Sequence, residues 1–145
     1  MADTERSGFP RRDEHGRIDG LPDLLAVLLA GLLVGIAALC LYDLVFWLIG
    51  IGRFGQASGW LALVLPSWLL VEEFRAWKGL VGRGVLALLA ALVGLALGAL
   101  AASATSVLAP LVSGGVGAAV ATFLCGVVWF GGTRWLSRRF GEAKR

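Results

Sequence analysis

The sequence predicts an all-α fold: a polytopic membrane protein with four transmembrane helices and both termini cytoplasmic. Three observations lead there. Of 145 residues, 58% are hydrophobic and the mean hydropathy is +0.82, whereas an ordinary soluble domain is about 45–50% apolar. Residues 24–52 carry one charge, Asp43, residues 54–71 carry none, and residues 84–133 form an uncharged run of 50. A spanning helix takes about 20 mainly apolar residues, so these stretches hold one, one and two spans. Third, with four spans, twelve of the 13 Lys and Arg residues fall on one side of the bilayer and Arg53 alone on the other. Cytoplasmic loops and tails accumulate such cations, which puts both tails in the cytoplasm. A three-span arrangement, with residues 54–71 not crossing, divides the same cations 4 and 9 and is disfavoured.

The chain divides into a flexible cytoplasmic tail (1–20), a four-helix transmembrane domain (21–137) and a basic cytoplasmic tail (138–145). Residues 1–20 mix both charge signs with Gly and Pro and lack an apolar period, so no contribution to the fold is expected of them. "DGLPDLL" then opens the first helix, because Pro22 is tolerated in a first turn and Asp23 favours a helix N-terminus. It runs to about Ile49, and "GIGRFGQASG" makes a short outer loop. The second helix covers about Trp60 to Trp77, with Pro66 as a site of bending. The third covers about Gly84 to Ala102, and the fourth about Gly115 to Trp135. Trp47 and Trp60 fall at the outer interface and Trp77 and Trp135 at the inner one, as indoles prefer, while Trp68 and Trp129 lie deeper.

Lipid tails are as apolar as leucine, so helices in a bilayer associate through small residues that let backbones approach, and through polar contacts. Ala87, Ala91, Gly94 and Gly98 form such a seam on the third helix, and Gly114 and Ala118, continuing to Ala121 and Cys125, one on the fourth. Gly31 and Gly35 give the first helix a minimal pair. These seams serve helices of this chain or of a second copy.

Asp43 is the residue most in need of a reason. A carboxylate at a helix centre costs about 2.5–3.5 kcal/mol to insert, less near an interface. One reading fixes it by a hydrogen bond to Ser103, Thr105 or Ser106, or by pairing with Arg53; the other makes it an ion or proton site. "EEFRAWK" concentrates charge at the inner end of the second helix, where Glu72, Glu73 and Arg75 offer a cytoplasmic docking site or simply a solvated helix end. Arg134, Arg138 and Arg139 fit anionic lipid headgroups.

Little else carries chemistry. The sole histidine, His15, lies in the N-terminal tail, which disfavours metal sites, bis-histidine heme and Ser-His or Cys-His pairs. Cys40 and Cys125 read as small packing residues, and no cofactor or metal is expected. The cations flank membrane segments and do not interleave with aromatics, so no nucleic acid is expected. The sequence thus points to a noncatalytic subunit or scaffold in a membrane, expected to be the bacterial cytoplasmic membrane. Its partners are the bilayer and another membrane protein or copies of itself. The alternative is a small homo-oligomeric transporter or channel using Asp43.

Overall fold

A computed structural model describes residues 9–141. Among these the fold is all-helical: α1 (Leu21–Leu48), a 3-10 turn (Gly59–Leu63) running directly into α2 (Val64–Ala76), α3 (Arg83–Ala104) and α4 (Pro110–Gly141). Three helices, α1, α3 and α4, are long and apolar enough to cross a membrane. Their outward faces are hydrophobic: Leu33, Val34 and Leu41 on α1, and Val85, Leu88 and Leu92 on α3, are exposed, as suits helices surrounded by hydrocarbon.

Local chemistry sets the helix ends. Pro22 and Asp23 occupy the first turn of α1, which follows Gly20. Its other end closes on Gly50, whose φ of +80° is left-handed. There Ile51 N–H donates to Phe46 C=O and Gly50 N–H to Trp47 C=O, the paired bonds of a Schellman stop. α4 starts on Pro110, whose missing N–H would have had no helical partner. Residues 59–76 differ from the single helix, bent at Pro66, that the sequence predicts. Pro66 is the third residue of α2, among the first-turn positions that need no N–H, so the irregularity falls earlier, as the 3-10 turn. α4 also continues to Gly141, so the basic residues Arg138 and Arg139 extend the helix where a separate tail was expected.

α4 is the axis of the packing. α3 lies antiparallel on it through the predicted small residues: a Cβ on Gly98 would sit 2.6 Å from Gly117 O, and one on Gly94 2.7 Å from Ala121 O. The predicted seam of α4 is divided between two neighbours. Ala121 and Cys125 face α3, whereas Gly114 meets Gly59 and Ala118 is buried with Leu32 and Ala62. Gly59 touches α4 so closely that any Cβ there would strike Leu111 O and Gly115 N. On α1, Gly35 meets Ala62 and Gly31 meets Leu69. Ala87 packs near Trp77, Ala90 and Trp129, and Ala91 lines a cleft between α2 and α3. The small-residue positions thus pack helices of this one chain.

Residues 9–20 contribute to the fold, contrary to the expectation for the tail. Arg12 and Ile18 form an antiparallel bridge, and Asp13 Oδ1 accepts the N–H groups of His15 and Arg17, each at 2.9 Å. This tight turn delivers Ile18 to a buried cluster with Leu24 and Leu28, where Leu69, Leu70 and Phe130 pack around it. An isolated apolar residue in a polar stretch is invisible to periodicity, which is why the sequence did not reveal it.

Candidate functional site

Among the described residues two carboxylates are buried, one at each end of the bundle: Asp43 (5% exposed) and Glu73 (4% exposed). Asp43 lies eleven residues beyond buried Leu32, which at about 100° per residue returns it to nearly the same line of α1, the line that faces the bundle. Gly55 N–H donates to its Oδ2 at 2.7 Å, and Ala57 N–H to its Oδ1 at 3.1 Å. The loop can present both N–H groups because Gly55 adopts a φ of +91°, in the left-handed region. The next link leads to α4, where Leu111 N–H, an orphan donor of the first turn, donates to Gly55 C=O at 3.0 Å. Asp43, the loop and α4 thus form one polar chain.

The partners the sequence offered Asp43 are engaged elsewhere. Ser103 Oγ donates to Ala99 C=O and Thr105 Oγ1 to Ala101 C=O, each back along its own helix, and Ser106 and Arg53 are exposed. Among the described residues Arg53 forms no ion pair. Serine and threonine readily satisfy themselves on the preceding turn, so nearness to Asp43 in depth did not make them its partners. The correct signal was the glycine-rich loop, which supplies backbone donors.

At the opposite end Glu73 turns inward, away from Glu72 and Arg75, so the three do not share one surface. Trp77 Nε1 donates to Glu73 Oε1 at 3.1 Å, and Ile18 N–H donates to the same oxygen at 3.3 Å. Arg17 stacks over the Trp77 ring at 4.3 Å and donates from Nε to Ala76 C=O. Arg134 stacks over Phe130 at 4.1 Å and donates to Asp19 C=O. Glu72 and Arg75 pair on the solvent side at 3.0 Å, a geometry worth only about 0.3–0.5 kcal/mol. Of the predicted headgroup arginines, Arg134 is half-buried against the N-terminal segment, Arg138 is exposed, and Arg139 stacks on Trp135 at 4.9 Å.

Chemically, both carboxylates serve as acceptors for fixed N–H groups. Among the described residues no cluster of three metal-ligating side chains occurs, and Cys40 and Cys125 are free thiols. Sequence reasoning missed Gly59 and the inward turn of Glu73. On a helix Glu73 lies four residues from Trp77, a spacing that was available as a signal. Comparison with known proteins gives no family model, no curated protein and no solved structure that matches the chain.

Proposed function

We propose that this chain is a small noncatalytic subunit or scaffold that crosses a bacterial cytoplasmic membrane four times, with both ends in the cytoplasm. The crossing added to the three long helices, second in chain order, is residues 59–76. At about 2.0 Å per residue in the 3-10 turn and 1.5 Å in α2, they cover about 30 Å, the thickness of the hydrocarbon core. Their contacts support that reading, because they run antiparallel to α1 along its length: Gly35 meets Ala62, Gly31 meets Leu69, and Ile18, just before α1, meets Glu73. Arg17, Arg75, Lys78, Arg83, Arg134, Arg138 and Arg139 all belong to the Glu73 end, which supports placing that end in the cytoplasm.

The observation that carries the noncatalytic reading is the state of the two buried carboxylates. Each already accepts two N–H groups that belong to the fold. A carboxylate so engaged holds backbone in place, and its loss would strand donors that are buried or half-buried in the bundle.

Two measurements test the proposal. Reporter fusions at both ends and at Arg53 should place the two ends on the cytoplasmic side and Arg53 outside; ends on opposite sides would refute four crossings. Purification in mild detergent with mass determination should return a foreign membrane protein bound to the chain; an assembly of copies alone would favour the transporter. A reconstituted ion or proton flux abolished by Asp43→Asn in a folded protein would instead establish the transporter.

A further inference from the structure

Two adjoining hollows on the α1–α2 side differ sharply in chemistry. The first, about 620 Å³, lies at the Glu73 end and is lined by Arg12, His15, Arg75 and Lys78. Its one carboxylate, Glu72, is already bonded to Arg75. The second, about 320 Å³, is an apolar groove between α1 and α2 whose lining includes Ala30, Gly31, Val34 and Leu65. Trp68 and Leu69 line both, so the basic basin continues into the groove. Gly31 deepens the groove where α2 crosses it, since a Cβ there would already touch Leu69 at 3.0 Å.

We propose that this two-part hollow binds one anionic phospholipid, with its phosphate in the basin among Arg12, His15 and Lys78 and an acyl chain in the α1–α2 groove. Charge and polarity choose the occupant together. An excess of cations over carboxylates suits a phosphate, and basic pockets beside transmembrane helices recognise anionic headgroups. The groove suits hydrocarbon, because it contains no charged side chain and its walls meet lipid in any case. The orientation is fixed as well. From the basin at Lys78 and Arg12 the groove leads along α1 to Val34, towards the bilayer interior, as an acyl chain lies relative to its headgroup. The turn at Asp13 gives residues 9–18 a role here, since it brings Arg12 and His15 to α2. The site requires only that the chain lies in a bilayer, whichever side its ends face.

The test uses the delipidated full chain in neutral detergent, titrated with phosphatidylglycerol or phosphatidylcholine of identical acyl chains and read by native mass spectrometry. One phosphatidylglycerol per chain is expected, bound about tenfold to thirtyfold more tightly than phosphatidylcholine. The double variant Arg12→Gln, Lys78→Gln should bring the two lipids to near equality, and Lys78→Gln alone, at an exposed side chain, should remove about half of the preference on a logarithmic scale. Ala30→Phe, which fills the groove from its exposed side, should weaken both lipids. Arg138→Gln with Arg139→Gln should change neither. Equal binding of the two lipids to the native chain, or an equal loss from the Arg138 and Arg139 variants, would overturn the proposal. Displacement of the lipid by millimolar inorganic phosphate, or by formation of a dimer, would overturn it too, showing respectively a bare anion site or a second copy in the groove.

Discussion

Replacing Asp43 by alanine should loosen the loop that carries Gly55 and Ala57 and cost the protein about 1–3 kcal/mol. The magnitude follows from two opposed terms. The substitution strands the Gly55 N–H, held at 2.7 Å and buried, and the Ala57 N–H, held at 3.1 Å and half-buried. A stranded buried donor costs about 1–3 kcal/mol, and water reaching Ala57 recovers part of its share, so the loss is about 2–4 kcal/mol. Against it stands the relief of removing a carboxylate from the membrane. Asp43 lies five residues inside the end of α1, about 7–8 Å, so the relief is well below the 2.5–3.5 kcal/mol of a helix centre. Asparagine retains one acceptor oxygen and should fall between aspartate and alanine. Unfolding in mixed micelles gives the ranking, and amide exchange at Gly55 and Ala57 locates it. Thr105→Val serves as a control expected to leave both amides protected. A more stable Asp43→Ala protein, or unchanged exchange at Gly55 and Ala57, would refute the reasoning.

Three further outcomes are expected. Gly98→Ala forces a methyl group against Gly117 O and Ala121, and should destabilise the α3–α4 pair by about 1–3 kcal/mol in the same assay, whereas Gly115→Ala, with open space around it, should be near neutral. Glu73→Ala frees the Ile18 and Trp77 donors and should accelerate tryptic cleavage after Arg17, with Glu73→Gln intermediate; unchanged cleavage would contradict the clamp. At Asp13 partial burial raises the pKa, but the N–H groups and charges of Arg17 and His15 outweigh it and hold the carboxyl below 3.8. Its folded pKa is therefore the lower one, so the turn's contribution is present above the ordinary carboxylate range and fades as pH falls through the folded value. Amide exchange at His15 and Arg17 against pH should show protection lost only in that acid range.

The extent of α1 and α3 was legible because it rests on composition over many residues, whereas α4 begins five residues before and ends six residues after its predicted bounds. α1 and α3 lie within about two residues of their predicted ends, and Pro22, Asp23 and the loop glycines marked boundaries that the structure uses. Pairings were less legible. The small residues of α3 were visible as a row, but which neighbour each would meet depends on how three helices share α4, and Gly114 and Ala118 turned to different partners from Ala121. Asp43 stood out as a charge among leucines. Its partners did not, because every residue but proline carries a backbone N–H: the glycine-rich loop signalled donors without marking which of them would turn to Asp43. Glu73 was hidden by the opposite effect, sitting in a charged cluster where an acid is unremarkable.

The contact of Gly59 with the start of α4 has a consequence for how the chain is made. The ribosome releases α1, then residues 59–76, well before Leu111, Gly114 and Gly115 exist. Until those arrive, the loop carbonyl at Gly55 lacks its donor and the 3-10 turn lacks the backbone it rests on. The packing of residues 59–76 against α1 is thus incomplete until α4 has been made, and α4 is the element that locks that earlier pair.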